Sequence, residues 1–198
     1  MEKFDFTGGK KILLASASPR RRELLGLLDA QVELAPLTDV DESYPATLAA
    51  EEVPAYISRK KADAYAGSIG SDEILVTADT VVISDGSVLG KPEDEADARR
   101  MLERLSGRTH KVITGVTVAA GHDLLTFSEE TLVEFAPLAQ DEIDHYVKCY
   151  RPLDKAGAYG IQEWIGFIGV KGIRGDYYNV MGLPVHALYR HIREICRH

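Results

Sequence analysis

Along this chain, hydrophobic and polar positions follow two periods, one suited to strands and one to amphipathic helices. Residues 11–15, KILLA, are a short apolar run that predicts a buried strand. Ser18-Pro19 then reads as an N-cap with proline at the first helical position. The helix runs through RRRELLGLL and turns Leu24, Leu25, Leu27 and Leu28 toward the core. Residues 32–34 predict a second strand and 39–45 a polar loop. A helical region is expected over 47–66, with Pro54 starting or kinking its main segment. The strongest strand signal is ILVTADTVVI at 74–83, rich in β-branched residues and closed by the turn Ser84-Asp85-Gly86. Residues 93–105 predict an amphipathic helix ended by Gly107. Two β-rich runs, 111–120 and 124–135, flank Gly121-His122-Asp123 and predict a hairpin. Helix is expected again over 141–149 and 185–195, with Gly-rich sequence at 157–175 between them. Helices alternating with strands, plus one hairpin, give an α/β class with a mixed, twisted sheet and flanking helices. With no internal repeat or linker, residues 1–198 are expected to form one domain, 1–10 being an N-terminal extension.

Composition narrows the functional classes. The 198 residues are 45 % hydrophobic and 27 % charged, an ordinary globular mixture. Net charge is −8 and the pI about 5.3, which argues against broad nucleic-acid binding. A local basic cluster can still hold a small anionic substrate. Cys149 and Cys196 form no CxxC pair, and the low count fits a reducing compartment. The N-terminal MEKFDFTGGKK lacks a signal-peptide apolar stretch, and no run reaches the ~18 apolar residues of a membrane span. A cytoplasmic protein without membrane association is the expectation.

Six segments carry candidate chemistry. In ASASPRRRELL a strand leads into a helix whose first turn is basic. Backbone N–H groups at a helix start bind anions, and Arg20 and Arg21 add charge-assisted bonds. Cations at that helix end oppose the dipole, so a bound anion would compensate them. A solvated basic helix start has the same spacing, and Arg22 is the arginine expected to face solvent. Asp79 lies inside an apolar strand, where a carboxylate needs a cation, a hydrogen-bond partner or water. There it can ligate Mg²⁺ or take a proton from water; an Asp capping a loop is the plainer alternative. Lys91, in Gly90-Lys91-Pro92, is placed to reach a phosphate, although an exposed loop lysine looks the same. Lys60 and Lys61 share a helix, and Asp39, Asp41 and Glu42 share a loop; both sets also suit a solvated surface. In DKAGAYGIQ, small residues permit close approach to a ligand, Tyr159 can stack, and Gln162 can read a base edge. His110, His122, His145, His186, His191 and His198 show no HxxxH or HExxH spacing and read as structural or exposed.

Taken together, the segments ILLASASPRRRELL, DVDES, SRKKADAYA, ADTVVISDGSVLGKP, LSGRTHKVITGV, DKAGAYGIQ and DYYNVMGLPV resemble the Maf family of nucleoside triphosphate pyrophosphatases. That resemblance covers nearly all of the chain beyond about its first ten residues. It implies an α/β fold related to the inosine triphosphate pyrophosphatases (Maf/Ham1-type), two lobes around a central cleft, Mg²⁺ or Mn²⁺ dependence, and a homodimer. It places Ser16, Arg20, Glu42, Lys61, Asp79, Lys91 and Gln162 in the active site, with Asp79 as proton acceptor. Arg20, Thr80 and Gln162 match positions used for substrate choice. DKAGAYGIQ resembles the branch acting on dTTP and UTP, with modified pyrimidine nucleotides as a further possibility. Two departures stand out: Thr77 where the family commonly has Gly, and Glu163-Trp164 where Gly commonly follows the glutamine.

The mechanism so implied has Glu42 and Asp79 holding divalent metal together with substrate oxygens and water. Asp79 deprotonates or orients the attacking water, while Arg20, Lys61 and Lys91 neutralise the triphosphate. Two other functions fit the same residues. One is a nucleotide-binding regulator of cell division, which would need no water-activating carboxylate. The other is a pyrophosphatase for non-standard purine nucleotides.

Overall fold

The computed structural model describes residues 4–197. His198 therefore lies outside the described residues, as do residues 1–3 of the N-terminal extension. Among the described residues seven strands join one mixed sheet, in the order β2-β1-β3-β5-β6-β7 with β4 added to β3. These are β1 (Lys11–Leu14), β2 (Val32–Leu34), β3 (Glu73–Ser84), β4 (Ser87–Leu89), β5 (Thr109–Ala120), β6 (Asp123–Phe135) and β7 (Val170–Arg174). The chain divides into two compact units, and β3, β5 and β6 each pass from one to the other, at Asp79/Thr80, Ile113/Thr114 and Glu129/Glu130.

The first unit takes the described residues up to Asp79, then Thr114–Glu129, and those from Gly182 onward. Here β1 pairs in parallel with β2 and with the start of β3, Ile12 standing opposite Val32 on one side and Ile74 on the other. Helix α1 (Pro19–Gly26) is the crossover that a parallel β1–β2 pair requires. Ser18 is its extended N-cap and Pro19 lies in its first turn, as the sequence predicts. The helix stops at Gly26, so Leu24 and Leu25 are buried while Leu27 is 70 % exposed and Leu28 half-buried. The expectation that all four leucines face the core is corrected for that reason: the last two lie beyond the helical register. A 3-10 turn (Ala50–Glu52) leads into α2 (Val53–Asp63), which begins at Pro54's turn. Against α2 lies Gly115 of β5, where a Cβ would stand 2.2 Å from Ala55 N and Pro54 C. Only glycine lets helix and strand approach so closely.

The second unit holds Thr80–Ile113 and Glu130–Met181. Its helices are α3 (Glu95–Leu105), α4 (Gln140–Tyr150), α5 (Trp164–Gly169) and α6 (Tyr177–Met181). α3 is capped by Asp94, whose carboxylate accepts the Asp97 N–H at 2.7 Å. Leu102, Leu105, Phe135, Ile143, Tyr146 and Ile165 form the heart of its core. Asn179 is fully buried and donates to the Val112 carbonyl and Thr131 Oγ1, both at 3.0 Å.

The final helix, α7 (Val185–Ile195), returns to the first unit with the predicted bounds. Sequence periodicity does not anticipate β4, α5, β7 or α6. The Gly-rich segment 157–175 contains two of them, and at Gly166 glycine lets backbone pack on backbone: a Cβ there would come within 1.9 Å of the Ile161 carbonyl oxygen.

Candidate active site

Asp79 is the centre of the first unit's polar cluster. It sits on β3 among Val76, Thr77 and Ala78, all nearly inaccessible, and its own side chain is 15 % exposed. The cation it needs is Lys61, whose Nζ lies 2.9 Å from Asp79 Oδ1. α2 delivers Lys61 to that point through a tether one turn earlier. There Thr77 Oγ1 donates to the Ser58 carbonyl at 2.6 Å, and the Ser58 hydroxyl lies 3.1 Å from Thr117 Oγ1. Thr77 thus has a use in this chain: it fixes the helix to β3 two residues before Asp79.

Lys61 has a second carboxylate, Glu42 Oε1, at 3.0 Å. The acidic loop therefore divides its labour. Asp41 accepts from the Ser43 hydroxyl and backbone N–H, which above all hold its pKa down at about 2, and it also pairs with Lys60. Glu42 remains the loop carboxylate turned to the Lys61–Asp79 pair, with its side chain about half exposed at 55 %. For Asp79, burial is the dominant influence and raises the carboxyl above its ordinary value. Lys61 and Arg21 oppose that rise, and Glu42 adds to it.

Arg21 is expected among the substrate-binding groups, yet its guanidinium serves the protein first. Nε donates to the Gly182 carbonyl at 2.8 Å, and Nη1 to the Ala78 carbonyl at 2.9 Å and Ser16 Oγ at 3.2 Å. It joins α1, the end of β1's following turn, β3 and the approach to α7. Burial lowers its pKa, while Asp79 and Glu42 favour its charge. Ser16 is held in turn by accepting the Ser18 N–H at 3.2 Å. Arg20 is half-buried in the same first turn of α1, which carries no acidic residue to offset its dipole, and Arg22 is exposed.

The structure thus brings Ser16, Arg21, Glu42, Lys61 and Asp79 into one connected set within the first unit. Thr80, Lys91 and Gln162 belong to the second. Thr80 follows Asp79 on β3 and is half-buried. Lys91 follows β4, is exposed, and makes no ion pair among the described residues. Gln162 sits half-buried in the turn before α5, and its Oε1 is buried without a hydrogen-bond partner among the described residues. An acceptor left in that state costs free energy unless a ligand donor completes it.

Three residues that matter here escape a reading by sequence, and a fourth, Glu163, stands out there only as a departure from the family pattern. Tyr146, Lys155 and Glu163 surround the Gln162 turn, and Ser58 anchors α2. Lys155 stands inside DKAGAYGIQ, but nothing in spacing says that it is buried. The remaining candidates are ordinary. His110 is buried with Nε2 at 2.7 Å from the Tyr159 hydroxyl, whereas His122, His145 and His186 are exposed. Tyr159 is itself buried, in the core rather than free to stack on a ligand. Both cysteines are free thiols. Among the described residues no helix is long and apolar enough to cross a membrane.

Chemically, a buried carboxylate with a raised pKa beside an ammonium can accept a proton from water. Two carboxylates that converge on one Nζ also define a position for a hard cation. No group of three or more His, Cys, Asp or Glu that could cage an ion exists among the described residues.

The family model described as Maf-like protein matches residues 11–195. The dTTP/UTP pyrophosphatase of Phocaeicola vulgatus is 55 % identical over 185 residues, covering 93 % of this chain and 96 % of that protein. Those of Porphyromonas gingivalis and Flavobacterium psychrophilum are 53 % and 43 % identical, over 93 % and 96 % of this chain and 94 % and 96 % of theirs. Among solved structures, the Ham1 protein of Staphylococcus aureus superposes with a TM-score of 0.54 at 16 % identity, over 94 % of this chain and 100 % of that one. A HAM1 protein from Coxiella burnetii gives 0.50 at 18 %, over 93 % and 99 %. At such identities these two share the fold, which is the Ham1-type α/β architecture expected. With nearly its whole length matched, the chain belongs to the Maf family.

Proposed function

We propose that this protein hydrolyses nucleoside triphosphates to the monophosphate and pyrophosphate, with dTTP and UTP as its leading substrates. The observation that carries the reading is Asp79, a carboxylate whose pKa is raised by burial and which is held 2.9 Å from Lys61. A phosphate-binding regulator would have no need of such a group. The names of relatives at 43–55 % identity support the substrate class.

In the hydrolysis, a water oxygen bonds to the α-phosphorus, the α–β anhydride bond breaks, and pyrophosphate departs with the bond's electrons. Asp79 orients the water and accepts its proton. Lys61 and Arg20 set permanent positive charge toward the phosphates, and lysine and arginine suit this better than histidine because they stay charged at neutral pH. Lys91 is assigned a phosphate contact and Thr80 a place in substrate choice. Ser16 is assigned to substrate binding as well. Arg21 contributes by holding Ser16 and the Ala78 carbonyl in place.

Magnesium or manganese is the cofactor we propose, with Glu42 and Asp79 as its protein ligands. The two carboxylates fit it: both reach one cation position, now Lys61's, and a magnesium site needs only one or two carboxylates besides water and phosphate oxygens. When bound, the ion supplies charge that polarises the phosphate.

Gln162 supports the pyrimidine preference. Its unpartnered Oε1 can accept the ring N–H of thymine or uracil while the amide NH₂ donates to a carbonyl. The two bases differ by a methyl group, so discrimination between them should be small. kcat/KM across dTTP, UTP, ATP, GTP and 7-methyl-GTP tests the reading, with pyrophosphate and orthophosphate measured separately. Orthophosphate as the product would refute the reaction, and a purine nucleotide in the lead would refute the substrate assignment. The family resemblance also supports a homodimer, which sedimentation at assay concentration checks, and the low cysteine count supports a cytoplasmic location, which cell fractionation checks.

A further inference from the structure

The second unit contains a buried, charged cluster that the proposed chemistry leaves unused. Tyr146, on α4, has no exposed surface. Its hydroxyl accepts the Gly160 N–H at 3.0 Å and donates to Glu163 Oε2. The other carboxylate oxygen, Oε1, lies 3.1 Å from Lys155 Nζ, and Lys155 is itself 7 % exposed. Lys155 also pairs with Asp154 at 2.7 Å. Lys155 and Tyr146 are buried while the Glu163 side chain is 22 % exposed, and holding an ammonium and a phenol out of water is costly, so the arrangement needs a reason beyond stability.

Its geometry supplies one. Residues 160–163 form a tight turn, closed by the Glu163 N–H on the Gly160 carbonyl at 2.9 Å. Tyr146 grips both ends of that turn: the N–H of its first residue and the carboxylate of its fourth. Ile161 is anchored by burial, and Gly166 allows the Ile161 carbonyl to pack closely against α5. At Gly160 a Cβ would come within 2.8 Å of the Glu163 carboxyl carbon, so glycine is what lets the carboxylate fold back. Gln162 is the remaining residue of the turn. Its Oε1 is buried and unpartnered, between two neighbours that are fixed.

We propose that Tyr146, Glu163 and Lys155 form a positioning clamp that sets base discrimination by holding the Gln162 amide with its acceptor uncommitted. None of the three is a catalytic residue; each acts through the turn. The inference rests on the proposal that the chain hydrolyses nucleoside triphosphates and that Gln162 faces the base. It does not depend on which base is preferred.

The test is steady-state kinetics on the nucleotide panel, read as the ratio of kcat/KM between the best and the poorest nucleotide of the wild type. In Tyr146→Phe and Glu163→Ala the ratio should shrink about tenfold, through a higher KM for the best substrate, with kcat within about threefold of wild type. Glu163→Gln keeps an oxygen for the Tyr146 hydroxyl and should recover part of the ratio. It also secures the test should Tyr146→Phe fail to fold, because its shape is unchanged and Lys155 retains Asp154. A ratio unchanged in Glu163→Ala and Glu163→Gln overturns the clamp, as does an equal fall of kcat on every nucleotide, which is what general loosening produces. The wild-type panel alone decides which base leads, so failure of the pyrimidine assignment is seen separately from failure of the clamp.

Discussion

Asp79→Asn should separate activity from stability. Breaking a buried ion pair by removing one partner ordinarily costs about 3–5 kcal/mol, because the survivor is left as an uncompensated charge. Here the survivor is Lys61, and Glu42 stays 3.0 Å from its Nζ. Lys61 is also 17 % exposed, so water reaches it. The sign of the Asp79 shift points the same way. Its carboxyl pKa is raised in the fold, mainly by burial, so the fold disfavours the charged form. Stability on this account declines as pH rises through that pKa, and an amide removes the decline at neutral pH. The two effects nearly cancel, leaving a net change within about 1 kcal/mol, or about 2–4 °C in Tm for a chain of this size. Turnover, by contrast, loses the group that accepts the proton and should fall about a thousandfold. Calorimetry and a pyrophosphate-release assay on one preparation give both numbers. Turnover within about tenfold of wild type, near 1.4 kcal/mol in barrier height, would refute the catalytic assignment. A Tm lower by more than about 10 °C would refute the claim that Glu42 compensates Lys61.

Arg21→Ala removes three charge-assisted hydrogen bonds at the junction of α1, β3 and the Gly182 carbonyl, and should cost about 2–4 kcal/mol by urea denaturation. Arg22→Ala, on the exposed face, should stay within about 0.5 kcal/mol, and equal losses for the two would refute the positioning role of Arg21. Gly115→Ala sets a Cβ against the backbone of Pro54 and Ala55 and should cost about 3 kcal/mol; since α2 carries Lys61, kcat should fall with Tm, and a variant that matches wild type in both would contradict the close approach. Burial depresses the His110 pKa from 6.5 to about 4. The unfolded chain therefore binds this proton more readily, and stability present above pH 6.5 is lost toward pH 4, by about 3 kcal/mol. Urea midpoints between pH 7 and 4.5 should fall less for His110→Gln than for wild type, and parallel curves would exclude His110 as the cause.

Much of this protein is local and therefore legible in the amino-acid sequence. β1, β3, α2, α7 and the β5–β6 hairpin follow from apolar periodicity and turn residues, since a buried face or a β-branched run needs no distant partner to announce itself. The same holds for residue types that suit phosphate chemistry, and for Asp79 as a carboxylate in an apolar strand. β4, α5, β7 and α6 were not legible, because 3–6 residues are too few to show a period.

Tertiary structure alone decided what each charged group does. The three arginines of α1 look alike in sequence, yet Arg21 finds acceptors 57 and 161 residues away, while Arg22 is left at the surface. Asp41 and Glu42 are adjacent, but only Glu42 reaches the Lys61–Asp79 pair. Glu163 became a clamp because Tyr146 and Lys155 were buried beside it. The physical reason is common to all three cases. Spacing along a chain sets which way a side chain points, whereas charge state, hydrogen-bond partner and function depend on burial and on neighbours that only the folded backbone brings within reach.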